Sequence, residues 1–143
     1  MFKKLRKNEK GFTLAELLIV VAIIGVLVAI SIPIFTSQLE KAREATDQAN
    51  IRSAYAEISA DAITGEEIKT AKKEGKITIN ASSVADGVIT YTATVTLTQK
   101  QDKWQSTDEL QIGGLTAESE PKAGSTATVT VNSNGTVNTV KYN

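Results

Sequence analysis

The sequence predicts an α+β chain. One long N-terminal helix, its first half hydrophobic, packs against a small antiparallel sheet. Three observations carry this expectation. Residues 17–30 are fourteen consecutive positions without a polar side chain. A helical recurrence of apolar residues follows as far as Ile63. The C-terminal half then turns to period two, with clean alternation over residues 88–98 and a hairpin signal at Asn134-Gly135.

The apolar segment, residues 12–35, has only Thr13, Glu16 and Ser31 as polar members. At ~1.5 Å per helical residue it is long enough to cross a ~30 Å hydrocarbon core. It is apolar all round, so it needs either lipid or a fully enclosed place in an assembly. Glu16 sits just inside it, one helical turn from Phe12. A carboxylate at such a position costs roughly 2.5–3.5 kcal/mol unless it finds a partner. Gly11 and a basic leader with Lys3, Lys4, Arg6, Lys7 and Lys10 stand before Phe12. A cut between Gly11 and Phe12 creates an α-ammonium at Phe12. Glu16 can then pair with an ammonium, its own or a neighbour's, and in apolar surroundings leaving either charge alone is costly. Pro33 removes the hydrogen bond to Ala29 and disfavours helix at Ile32. With Gly25 it gives the helix two weak points.

Lys10-Gly11-Phe12-Thr13-Leu14-Ala15-Glu16 followed by the unbroken apolar run resembles the N-terminus of type IV pilins and their pseudopilin relatives. The resemblance is specific over about residues 7–35 and weaker beyond. It implies the type IV pilin fold and a definite organisation. Residues 1–11 are a leader cleaved by prepilin peptidase, and Phe12 is N-methylated. Residues 12–35 are a transmembrane and filament-core helix. Residues 36–143 are an extracytoplasmic head, with an amphipathic helix over 36–64 and a sheet over 65–143. Glu16 guides recruitment, and the helix between Gly25 and Pro33 loosens on assembly. The implied partners are further copies of the chain, prepilin peptidase, the pilus assembly machinery and the membrane. The chain waits in the cytoplasmic membrane as a single pass, N-terminus inside, and then joins a filament at the cell surface. The implied work is that of a structural subunit serving adhesion, motility or DNA uptake. Alternatives are a pseudopilin of a type II secretion or competence system, or a minor pilin whose head binds a ligand. A secretory signal has an apolar core of only ~7–15 residues. A plain signal anchor explains neither Gly11-Phe12 nor Glu16.

The formal charge of zero hides an asymmetry. Of 16 basic and 16 acidic residues, five and one lie in residues 1–11, leaving 11 and 15. The basic leader reads as cytoplasmic by the positive-inside rule rather than as a nucleic-acid patch. Residues 36–143 suffice for one small domain with a marginal core. Without cysteine it has no disulfide to supplement that core. Gram-negative pilins often carry such a disulfide, so the resemblance points to a Gram-positive or otherwise disulfide-poor producer. No sortase signal or C-terminal apolar tail is present, so a covalently linked pilus is not expected. Histidine is also absent, and no phosphate-loop, dinucleotide or nucleophile-elbow motif occurs. No enzyme activity, cofactor, metal or catalytic residue is expected.

Along the chain, Leu39, Ala42, Ala49, Ala56, Ala60 and Ile63 form one apolar row. Ile51, Tyr55, Ile58 and Ala62 form an adjoining one, and the row widens after Asn50, where a sheet is expected to rest on the helix. Glu40, Lys41, Arg43, Glu44, Asp47, Arg52 and Glu57 are placed on the solvent side. The like charges Glu40, Glu44 and Asp47 lie within helical reach and give one another no support. Thr64-Gly65 ends the helix. From residue 12 to 64 it measures roughly 80 Å if continuous. Residues 66–76 read as a short solvated helix closed by Gly75, and its lysines as a solvated face rather than a DNA patch.

Residues 76–80 read as a short strand. Over 88–98, Ile89, Tyr91, Ala93, Val95 and Leu97 form one face and threonines the other. A turn at 99–102 leads to a return strand beginning at Lys103-Trp104-Gln105, with Trp104 as a core or sheet-edge anchor. Residues 107–124 are an acidic irregular loop without calcium-loop spacing. In the final hairpin Val129 faces Val140, Ala127 faces Tyr142, and Val131 lies opposite Asn138. Asn80-Ala-Ser82 and Asn134-Gly-Thr136 match the short glycosylation pattern, which is frequent by chance.

Overall fold

The computed structural model describes residues 11–106, 110–134 and 137–143. Residues 1–10, 107–109, 135 and 136 lie outside the described residues. The chain divides into two compact units between Ser37 and Gln38. Helix α1, Leu14–Thr64, contributes to each.

In the first unit α1 carries the apolar run, and Pro33 lies inside it. Two hydroxyls near the proline bond back to the helix. Ser31 Oγ donates to the Leu27 carbonyl at 2.7 Å, and Thr36 Oγ1 to the Pro33 carbonyl at 3.0 Å. Each hydroxyl thereby has a partner on the backbone of its own helix.

The second unit is α+β as expected. Its part of α1 packs on an antiparallel sheet built from β1 Lys72–Glu74, β2 Ile77–Ile79, β3 Ser83–Ala85, β4 Val88–Thr96, β7 Thr126–Asn132 and β8 Val137–Tyr142. The order is β1-β2-β4-β7-β8, with β3 also on β4. Strands β5 Gln111–Ile112 and β6 Leu115–Thr116 make a separate small hairpin. The alternation in β4 does what period two requires. Tyr91, Ala93 and Val95 are buried with Val129 and Val131 of β7 against Ile51 and Ile58 of the helix, while the threonines face outward. Helix α1 stops at Thr64 because Gly65 takes φ +69°. That is the left-handed conformation which closes helices and which a Cβ disfavours. Nothing lies within 4 Å of a Cβ built there. Gly65→Ala therefore meets backbone strain alone, and it should lower stability by about 1 kcal/mol. The effect is read as a lower urea midpoint at unchanged slope.

Several expectations are corrected. The row Leu39, Ala42, Ala49, Ala56, Ala60 and Ile63 is exposed, whereas Glu40, Glu44 and Asp47, placed on the solvent side, are buried. The sheet covers the row of Ile51, Ala54, Ile58 and Ala62. The helix face that continues this row toward Gln38 presents the acids. Residues 66–76 form no helix. Ile68 is pinned by Ser82, whose N–H donates to the Ile68 carbonyl at 2.8 Å, and Lys72–Glu74 pairs with Ile77–Ile79. Pairing at the sheet edge overrides the good helix propensity of this lysine- and glutamate-rich segment, and the charged strand blunts that edge.

No return strand begins at Lys103. On the side away from β2 and β3, β4 pairs with β7, from Thr90↔Asn132 to Thr96↔Thr126. Trp104 is partly buried on the core and meets Tyr142 edge to face, with ring centres 5.8 Å apart and planes at 79°. Of the irregular segment 107–124, the described part contains the β5–β6 hairpin and anchors Leu110 and Ile112 in the core. The last hairpin pairs Val129 with Val140 and Ala127 with Tyr142 as expected. A register shift after Thr130 sets Val131 opposite Val137 rather than Asn138. An extra residue of this kind is a bulge, which the turn sequence does not announce.

Candidate functional site

The candidate site is built from residues 11–35. Gly11, Phe12 and Thr13 precede the helix and are exposed, Phe12 at 88%. The Gly11-Phe12 junction is non-helical and exposed. Thr13 is the N-cap of α1. Its carbonyl accepts the Leu17 N–H at 3.1 Å, the first bond of the helix.

Glu16 closes a capping box on Thr13. The Thr13 N–H donates to Glu16 Oε2 at 2.7 Å, and Thr13 Oγ1 donates to the same oxygen at 2.9 Å. The Glu16 N–H donates to Thr13 Oγ1 at 3.2 Å. Two otherwise orphaned amides at the helix start are thereby satisfied reciprocally. The carboxylate also lies in the first turn, where the positive end of the helix dipole favours it. The signal was in the sequence as Thr13-x-x-Glu16 before an apolar run, the signature of a capping box. The expectation from the sequence is an ionic partner for Glu16. The structure shows this additional, intrachain use.

Beyond the cap, the helix surface is apolar and open. Leu17, Ile19, Val21, Ile24, Leu27, Ile30 and Phe35 are all more than half exposed. By length and composition α1 is long and apolar enough to cross a membrane. Gly25 lies in this stretch, and a Cβ placed there meets nothing within 4 Å. Among the described residues no contact requires a glycine there, although glycine weakens a helix interior by ~0.5–1 kcal/mol relative to alanine. Gly11, Phe12, Glu16, Gly25 and Pro33 therefore stand on one short segment rather than converging on a pocket. Among the described residues no group of three or more acidic, histidine or cysteine side chains is placed to hold a metal ion.

Comparison with known proteins agrees with this geometry. The family model for the prokaryotic N-terminal methylation motif matches residues 6–32, which include Gly11, Phe12, Glu16 and Gly25. The chain is 50% identical over 52 residues to the type IV narrow pilus major component PilA5 of Thermus thermophilus, covering 34% of this chain and 45% of that protein. It is 44% identical over 48 residues to the type IV major pilin PilA of Myxococcus xanthus, covering 34% and 22%. It is 39% identical over 84 residues to a fimbrial protein of Pseudomonas aeruginosa, covering 56% and 46%. The chain spans less than half the length of the curated relatives it matches. No solved structure matches it significantly. This chain carries the prokaryotic N-terminal methylation motif on an α+β fold, and the relatives that share its N-terminal part are type IV pilins and fimbrial proteins.

Proposed function

We propose that this chain is a structural subunit of a type IV pilus-like filament. The observation that carries the reading is the exposed apolar surface of residues 17–35 behind an accessible Gly11-Phe12 junction. Monomeric soluble proteins rarely expose so large a contiguous apolar surface. In the membrane, lipid covers it. In a filament, helices of further copies cover it by close van der Waals packing.

The steps follow from the residues. The leader holds the chain N-terminus inside. Prepilin peptidase cuts after Gly11, the Phe12 amine is methylated, and the pilus machinery draws the subunit out of the membrane. Glu16 pairs with the ammonium of a neighbouring Phe12 and sets the axial register. Gly25 and Pro33 supply a segment that loosens as helices pack. The exposed row Leu39, Ala42, Ala49, Ala56, Ala60 and Ile63 supports this side-by-side packing, because the head leaves it open. The names of the relatives, all pilus or fimbrial components, favour a pilin over a pseudopilin. The work is mechanical, with no catalytic step assigned to any residue.

Mass spectrometry of the N-terminus of this protein in sheared cell-surface material tests the reading. The expected result is a chain beginning at Phe12 and carrying one methyl group on its amine. An intact Met1 found only in membranes overturns it in favour of a signal anchor.

A further inference from the structure

We propose that residues 98–106 form a clasp, fastened to the helix by three carboxylates and released from it when those carboxylates are neutralised, while the sheet stays folded. In the second unit, the buried part of α1 changes character along its length. The buried residues from Ile51 onward are apolar, whereas those before it are Glu40, Glu44, Asp47 and Gln48. Glu40, Glu44 and Asp47 are spaced by four and three and so share one face. Each receives backbone N–H groups from a single stretch of chain between β4 and β5.

The bonds are specific. Asp47 accepts the Thr98 N–H at 2.8 Å, the Gln99 N–H at 2.9 Å and the Thr98 hydroxyl at 2.7 Å. Glu40 Oε1 accepts the Lys100 N–H and, at 2.7 Å, the Gln101 N–H. Glu44 accepts the Gln105 N–H on Oε1 at 2.6 Å and the Ser106 N–H on Oε2 at 2.9 Å. Six amides of an irregular segment that has no strand partner are thus satisfied by carboxylates. Hydrogen bonds to an ionised acceptor contribute about 1.5–3 kcal/mol, more than neutral ones.

Protonation reverses the arrangement. A neutral carboxyl turns one acceptor oxygen into a hydroxyl donor, which then faces an N–H donor. Glu44 has one N–H on each oxygen, so whichever oxygen takes the proton, one amide loses its acceptor. At Asp47 the Thr98 N–H reaches both oxygens and the Gln99 N–H only Oδ2, so a proton on Oδ2 leaves the Gln99 amide facing a hydroxyl. A buried amide without a partner is destabilising.

The other charged groups around the clasp do not stand in for the lost acceptors. On the helix, Arg43 Nη1 lies 3.0 Å from Glu40 Oε2. Within the clasp, Lys100 is exposed. Lys103 pairs with Glu120 at 2.9 Å, and Asp102 accepts the Ala123 N–H at 2.9 Å. On the far side the clasp is tied to the loop at 121–125 through Gly124 N–H on the Gln99 carbonyl and Lys103 N–H on the Pro121 carbonyl. Those ties do not involve the helix acids, so the clasp opens on its helix side alone.

Burial favours the neutral form of Glu40. The N–H groups of Gln101 and Lys100 and the Arg43 guanidinium outweigh it and hold its carboxyl below the ordinary range. The sign follows. The Glu40 contribution is fully present above the unfolded glutamate value of about 4.3 and is lost as pH falls through its own lower value.

The test uses the full chain in detergent micelles. The triple variant Glu40→Gln, Glu44→Gln, Asp47→Asn imitates the neutral state at about pH 7. Hydrogen–deuterium exchange over 98–106 should accelerate on the order of tenfold or more, with β4 and β7 changed by less than about twofold. Trp104, the sole tryptophan, reports independently. Its emission should shift when the unmodified chain is taken from about pH 7 to about pH 3, and the triple variant should show the shifted emission already at pH 7. Unchanged exchange over 98–106 overturns the proposal. So does equal acceleration in β4 and β7, which makes the acids part of the global fold. Should the triple variant not fold, Glu44→Gln alone is expected to speed exchange at Gln105 and Ser106, and no change there overturns the proposal equally.

Discussion

Glu16→Gln is expected to reduce surface filaments on the order of tenfold or more while leaving the head folded and the subunit in the membrane. Two roles compete for this residue, and the variant separates them. The capping box on Thr13 needs an acceptor oxygen, which glutamine still has. The pairing with an ammonium needs a charge, which glutamine lacks. Leaving an ammonium unpaired against an apolar helix surface is costly by several kcal/mol, and the penalty recurs at every subunit of a filament. Loss of a cap costs about 1 kcal/mol and stays within the first turn. Thr13→Ala is the complementary variant. It removes the cap and keeps the carboxylate, so filament yield should stay within about twofold of normal. Immunoblots of sheared material against membrane fractions measure both. Normal filaments from Glu16→Gln remove the pairing role. A loss from Thr13→Ala as large as that from Glu16→Gln makes capping the essential function of the motif.

What the sequence disclosed follows from how local each signal is. Gly11, Phe12 and Glu16 stand within six residues, and their chemistry needs no tertiary context to be read. The alternation from Ile89 to Leu97 is legible because Tyr91, Ala93, Val95 and Leu97 are buried on one face while the threonines between them are not, so period two survives. The strand partner of β4 was not legible. Lys103-Trp104-Gln105 follows a turn and looks like a return strand, yet β7 begins about twenty residues further on and offers seven matched positions. The burial of the helix acids is the least legible feature of the fold. Charged residues are almost never fully buried unless paired, so Glu40, Glu44 and Asp47 read as solvent-facing. Their partners are backbone amides more than fifty residues away, which carry no sequence signature. Once the acids turn inward, the apolar row from Leu39 to Ile63 must turn outward, since both cannot share a face.

That inversion gives the two faces of α1 different energetic weights. Ile58 and Ile63 are chemically identical and five residues apart on α1, but Ile58 is fully buried and Ile63 is 83% exposed. Ile58→Ala opens a cavity beneath the sheet and should destabilise the head by ~2–5 kcal/mol. A small domain holds only about 5–15 kcal/mol in total, so the thermal midpoint should fall by on the order of ten degrees or more. Ile63→Ala removes no packing within the chain and should stay within about 0.5 kcal/mol of the parent. Far-UV circular dichroism melts of both variants, as full chains in the same detergent, decide the matter. Equal losses would mean that the sheet sits on the Leu39–Ile63 row after all, and the inward turn of Glu40, Glu44 and Asp47 would fall with it. A large loss for Ile58 alone separates the two faces of the helix energetically. The head is then stabilised by one face, and the other is free of any duty within the chain. A surface of that kind can be matched to neighbouring subunits without disturbing the fold that carries it.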